Sequence, residues 1–113
     1  GNVLRGAQLK LQRWNLEPYF RFGAYGDDHA DRSVLAAIAL EKARALMGRD
    51  FSGAETTVIG DTPKDISCAR AIGARVVAVA TGQVSRQELA ECSPDALLDS
   101  FENHEVALRA IFP

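Results

Sequence analysis

Val58-Ile59-Gly60-Asp61-Thr62-Pro63-Lys64-Asp65-Ile66 carries a strand into a helix and sets two carboxylates four positions apart at the turn. Thr57, Val58 and Ile59 are β-branched and predict a buried strand. Gly60 lets the backbone turn sharply, so that Asp61 projects from the carboxyl end of the strand. Thr62 has the character of an N-cap, with Pro63 at the first helical position and Asp65 in the first turn. Two readings of the acidic pair stand at this point. Asp65 can be the acid of a capping box with Thr62, and Asp61 a turn residue. Alternatively, Asp61 and Asp65 together hold or orient a hard divalent cation, a Mg²⁺ that keeps several of its waters, at the strand end where open α/β sheets bind ligands.

Working outward, Gly73 is the stop of the helix from Pro63 to Ile72, and Arg75 to Ala80 predicts the next strand. Strand Thr56 to Ile59, this helix and that strand make a β-α-β unit with parallel strands. Ser85 and Glu88 form a capping box for a helix through about Cys92. Pro94 to Leu98 predicts a short edge strand, and Glu102 to Ile111 a terminal helix. Toward the amino terminus, a helix is expected from Gly6 to Trp14 and a short strand from Phe20 to Tyr25. The polar loop Gly26 to Asp31 ends in an N-cap for a helix from Arg32 to Met47. The inward stripe of that helix is Leu35, Ile38, Ala39, Ala43 and Leu46, and Gly48 closes it. Alternating strands and helices predict an α/β fold with a doubly wound, mostly parallel sheet.

Composition narrows the function classes. The chain has 113 residues, 47% hydrophobic and 25% charged, of single-domain size. A net charge of -2 gives no electrostatic reason to expect nucleic acid or an anionic membrane surface as a partner. No apolar run approaches the roughly 20 residues that span a bilayer, and Gly1-Asn2-Val3-Leu4-Arg5 does not read as a signal peptide. Cytoplasm is the expected compartment, with Cys68 and Cys92 as two thiols rather than a disulfide or a zinc site.

The string Gly60 to Ile66, followed by Ala69, Ala71, Gly73 and Val76-Val77-Ala78-Val79-Ala80-Thr81-Gly82, closely resembles the last motif of the haloacid dehalogenase (HAD) superfamily of phosphohydrolases. It looks most like the phosphoglycolate-phosphatase-like branch. The resemblance covers nearly the whole chain and corresponds to the carboxyl-terminal part of the family's Rossmann-like core domain, so residues 1–113 are expected to be one segment of that core. Family members open with an Asp-x-Asp-Gly-Thr motif on the central strand, which supplies the nucleophile and a general acid/base. That motif does not occur in this sequence, so the sheet is expected to lack its central nucleophile strand. The next family motif is a phosphate-gripping Ser or Thr often followed by Gly-Asn, and the chain starts at Gly1-Asn2 as though cut just after it.

The resemblance implies Mg²⁺-dependent hydrolysis of a phosphate monoester through an aspartyl-phosphate. Asp61 would ligate the metal and Asp65 orient its waters or a neighbouring ligand. Arg32 is the best positional match to the basic residue that neutralises the phosphate, although the family usually has a Lys in a Lys-Pro-x-Pro string where this chain reads Arg32-Ser33-Val34-Leu35. Asn2 would sit near the substrate phosphate. The implied partners are a small phosphorylated metabolite and either a missing amino-terminal segment or a second copy that completes the sheet. Two other readings stay open: a non-catalytic remnant that acts as an interaction module, and a dehalogenase or phosphonate hydrolase of the same superfamily, which the acidic pair disfavours. Lys42 and Lys64 are expected to be solvated. His29, with Asp27, Asp28 and Asp31, is a weaker candidate for a proton donor or a second metal site, and a polar loop with a helix cap explains this cluster with less. Trp14, Tyr19 and Phe20 are expected in a core or an interface.

Overall fold

A computed structural model describes residues 2–113. The chain divides into two compact units, Gly1–Phe51 and Ser52–Pro113.

The first unit is helical. Helix α1, Leu4–Arg13, is capped from a distance, because the Leu4 N–H donates to the carboxylate of Asp27. It ends where Asn15 takes a left-handed conformation, φ 55°, and the Leu16 N–H returns to the Leu11 carbonyl at 2.9 Å. Helix α2, Arg32–Met47, has the bounds expected: the Asp31 carboxylate accepts from the Ser33 N–H, and Gly48 closes it at φ 69°. Leu35, Ile38, Ala39 and Ala43 are half-buried on its inward stripe, but Leu46 is exposed, a correction to the expected stripe. The strand expected from Phe20 to Tyr25 is not formed. A strand needs a ladder partner, and among the described residues this segment has none. Its end is instead held by the Tyr25 N–H on the Asp28 carboxylate and the Gly26 N–H on the Asn2 carbonyl. Gly1 of the Gly1-Asn2 pair lies outside the described residues.

No described residue of this unit is fully buried, and Trp14, Tyr19 and Phe20 are 69%, 80% and 56% exposed. They are not core residues among the described parts of the chain.

The second unit is α/β. Strands β1 (Thr57–Gly60), β2 (Arg75–Val79) and β3 (Ala96–Leu98) alternate with helices α3 (Pro63–Ala71), α4 (Arg86–Glu91) and α5 (His104–Ile111). The sheet has three strands in the order β1-β2-β3, all parallel, with Val58 opposite Val76 and Ala78 opposite Leu97. Because side chains alternate across a strand, β2 feeds two cores. Val76 and Ala78 pack with Ile66, Ala69 and Leu89 from α3 and α4, whereas Val77 and Val79 pack with Leu98 and with Ala107 of α5. The sheet is therefore covered on both faces, as a doubly wound arrangement requires. Gly73, at φ 67°, turns the chain from α3 into β2. Neither cysteine is in a disulfide.

The outer edge of β1 has no partner among the described residues, and Ile59 is 44% exposed there. The unpaired backbone N–H and C=O groups of an open edge strand are a template for further pairing.

The β2–β3 side is tied by Asp95. Its carboxylate accepts from the Val76 N–H at 2.8 Å and from Arg70 at 2.9 Å, while Arg70 also donates to the Ser93 carbonyl. The Val76 N–H, opposed by desolvation and aided by Arg70, holds the Asp95 carboxyl below the usual carboxylate range. A group depressed in this way stabilises the fold above its unfolded pKa, and that contribution is lost as pH falls through the folded value. Asp95→Ala should therefore destabilise the protein by about 1–3 kcal/mol at neutral pH, because the buried Val76 N–H loses its acceptor. Urea unfolding at pH 7 and below about pH 4 checks this: the difference between wild type and variant should shrink in acid.

Candidate functional site at the end of strand β1

The turn after β1 is built around Asp65. One oxygen of its carboxylate, Oδ2, accepts from the Asp61 N–H at 3.2 Å, the Thr62 N–H at 3.0 Å and the Thr62 hydroxyl at 2.7 Å. Thr62 is the N-cap of α3 with Pro63 in the first turn, and Thr62 and Asp65 form a capping box. Gly60 is required by this packing, since a Cβ there would fall on the Asp65 side chain. The capping reading of Asp65 thus holds in geometry, and it fixes the backbone from which Asp61 projects.

Asp61 differs from Asp65. It is half-buried, its carboxylate makes no hydrogen bond or ion pair with the described residues, and it lies against Gly82 in the loop after β2. An unengaged carboxylate at the carboxyl end of a parallel strand, beside a helix N-terminus, has lone pairs available for an oxygen-seeking cation. Among the described residues no group of three His, Cys, Asp or Glu side chains gathers into a complete shell. Mg²⁺ commonly takes one or two protein carboxylates and keeps several waters, a donor set that the chemistry of these two residues fits. Lys64 is exposed, as expected.

The other sequence candidates belong to the first unit. Arg32 is the first residue of α2 and is half-buried. Asn2 is exposed. Its side-chain oxygen accepts from Lys10 at 3.1 Å and its carbonyl from the Gly26 N–H at 2.9 Å, which places it at the start of the loop leading to Arg32. The structure brings Asp61 and Asp65 together in the second unit and joins Asn2 to the loop before Arg32 in the first.

The acids of that loop are engaged structurally. Asp27 caps α1, Asp31 caps α2 and accepts nothing from His29; rather, the His29 Nδ1 accepts from the Asp31 N–H at 2.9 Å. Asp28 accepts from the Tyr25 N–H and from Lys42, whose Nζ reaches both carboxylate oxygens at 3.0 Å and the Gly23 carbonyl at 2.9 Å. The Tyr25 N–H first, and Lys42 second, keep the Asp28 carboxyl below its ordinary range. Lys42 keeps a side chain 37% exposed, in line with the solvated residue expected, but it also pins the loop to α2. Sequence offered no signal for this, because Asp28 and Lys42 meet only through tertiary structure. Gly82 was likewise read only as part of a motif, and its contact with Asp61 depends on the packing of two loops.

A profile described as HAD-hydrolase-like matches residues 32–104, more than half of the chain. The chain belongs to the HAD-hydrolase-like family. The fold of this HAD-like chain is similar to that of a predicted phosphatase from Clostridium acetobutylicum, at 20% identity and a TM-score of 0.77, over 95% of this chain and 49% of the other. It is also similar to a haloacid dehalogenase-like protein of unknown function from Agrobacterium tumefaciens strain C58, at 22% identity and a TM-score of 0.74, over 99% of this chain and 52% of the other. The HAD-like chain spans about half the length of each of these solved structures. No curated protein matches it. Among the described residues no helix is long and apolar enough to cross a membrane.

Proposed function

We propose that this chain supplies the metal-binding half of a cytoplasmic, Mg²⁺-dependent phosphohydrolase acting on a small phosphorylated metabolite. The observation that carries this reading is the unengaged Asp61 carboxylate at the end of β1, in a chain of the HAD-hydrolase-like family. The likeness in fold to a predicted phosphatase from Clostridium acetobutylicum is in keeping with it. The string from Gly60 to Ile66 is the support for the phosphoglycolate-phosphatase-like branch.

In this proposal Asp61 is the protein ligand of Mg²⁺, and Asp65 holds the Asp61–Thr62 backbone through its three hydrogen bonds while lending the site a second carboxylate. The bound cation would supply neutralisation of phosphoryl charge, the main requirement of phosphoryl transfer. Arg32, with a planar guanidinium suited to bidentate contact, would meet the substrate phosphate, and Asn2 would lie near it. The attacking carboxylate and its aspartyl-phosphate belong to a segment or subunit that adds a strand to the open edge of β1.

This reading makes a direct demand on the isolated chain. Its open β1 edge and exposed Ile59 should drive association, so light scattering on the purified 113-residue chain should find a mass above that of one copy. A stable monomer that unfolds cooperatively would argue that β1 needs no partner. For the metal site the test is titration with Mn²⁺, a paramagnetic stand-in for Mg²⁺ that prefers the same oxygen ligands. Amide signals of Asp61 and Thr62 should broaden first; broadening confined to other acidic residues would remove Asp61 from the metal role.

The second reading, a non-catalytic interaction module, rests on the same open edge. Mass spectrometry of the protein from its native source, set beside its reading frame, separates the two, because an encoded Asp-x-Asp-Gly-Thr motif is required by the first.

A further inference from the structure

Two glycines flank the acidic pair, and each leaves room for one carboxylate. A Cβ built on Gly82 would fall on the Asp61 carboxylate, just as one built on Gly60 would fall on that of Asp65. Neither glycine has the backbone conformation that favours this residue type: the positive-φ glycines among the described residues are Gly48 and Gly73. Space, rather than backbone freedom, is what these two positions require.

The two contacts have different consequences. Asp65 is drawn in by three hydrogen bonds that also cap α3, so a methyl group at Gly60 must disturb the helix start. Asp61 has no such bonds among the described residues, so the β2–α4 loop at Gly82 is what limits where its oxygens can stand. We propose that Gly82 is a positioning residue: by lacking a side chain it seats the Asp61 carboxylate in its rotamer at the end of β1. The link to metal binding rests on the proposed function, but the seating itself does not.

The experiment is NMR on the product of the complete reading frame and its Gly82→Ala variant. Three-bond couplings report the Asp61 χ1 rotamer, and Mn²⁺ broadening of the Asp61 and Thr62 amides reports the cation. Gly82→Ala should change the Asp61 couplings and raise the apparent Mn²⁺ dissociation constant about tenfold or more, the range seen when groups that orient a ligand are altered. Unchanged couplings would overturn the proposal whatever the Mn²⁺ result. If the wild-type chain shows no Mn²⁺ effect at these amides, the metal reading fails while the couplings still decide the role of Gly82.

Should Gly82→Ala unfold the chain, a double-variant cycle decides. Removing the carboxylate with Asp61→Ala should restore folding to the Gly82→Ala chain if the clash is with that carboxylate. A double variant as damaged as Gly82→Ala alone would show that Gly82 serves another contact.

Discussion

Asp61→Asn, made in the intact enzyme, should lower Mg²⁺-dependent phosphate ester hydrolysis about 100-fold or more while leaving stability within about 0.5 kcal/mol. The size of the first effect follows from charge. On the proposed function, an amide in place of the carboxylate would remove the anionic ligand of a cation whose stabilisation of phosphoryl charge is worth several kcal/mol, and each ~1.4 kcal/mol is tenfold in rate. The smallness of the second follows from the structure, in which the Asp61 carboxylate is half-buried and makes no hydrogen bond or ion pair with the described residues. Steady-state kinetics over a range of Mg²⁺ concentrations, paired with denaturant unfolding, checks both parts. Equal loss of activity and stability would return Asp61 to the role of a turn residue.

Asp65 should behave otherwise, since its Oδ2 holds three donors of the α3 cap. Its replacement is expected to cost stability as well as activity, and so cannot by itself separate a metal role from a capping role.

The largest effect on folding is expected at Leu89. This side chain is fully buried, and it packs with Val76, Ala78, Ile66 and Ala69 in the core between the sheet and helices α3 and α4. Leu89→Ala should cost about 2–5 kcal/mol, from the lost transfer free energy together with the cavity left by incomplete collapse. The whole fully buried core of the described chain lies in the second unit, so little remains to compensate. Leu108→Ala is the control. Leu108 is 56% exposed on α5, and its truncation should change stability by no more than about 0.5 kcal/mol. Comparable losses at the two positions, measured by urea unfolding, would show that the core has been placed wrongly.

Local chemistry was legible in the sequence where it is self-contained. Asp31 and Gly48 bracket α2 because each acts on its own neighbours, by side-chain capping and by left-handed φ. Ser85 with Glu88, and Thr62 with Asp65, identify helix starts for the same reason, since both members of each box lie within one turn. The β-branched runs of β1 and β2 mark strands that alternate with helices, and the parallel sheet follows.

What depends on distant partners was not legible. Phe20 to Tyr25 has the residues of a strand and no ladder in the described chain. Lys42 looks like any helical surface lysine until Asp28 and the Gly23 carbonyl are brought to it. Asp95 falls within the edge strand expected from Pro94 to Leu98, yet it lies just before β3, Ala96–Leu98, and its carboxylate supports the Val76 N–H and Arg70. For the site, sequence identified the carboxylates, and the structure separates them: Asp65 is committed to the turn, and Asp61 is left available beside Gly82.

The most direct measurement is hydrolysis of p-nitrophenyl phosphate with and without Mg²⁺ by two purified samples, the 113-residue chain and the product of its complete reading frame. On the proposed function, the complete product should hydrolyse the ester, lose activity to a chelator and regain it with Mg²⁺, while the 113-residue chain should stay inactive, because the Asp-x-Asp-Gly-Thr motif does not occur in its sequence. Mg²⁺-dependent turnover by the 113-residue chain alone, as a cooperatively folded monomer, would contradict this division of labour, and so would a complete product that is inactive with Mg²⁺ across phosphate esters.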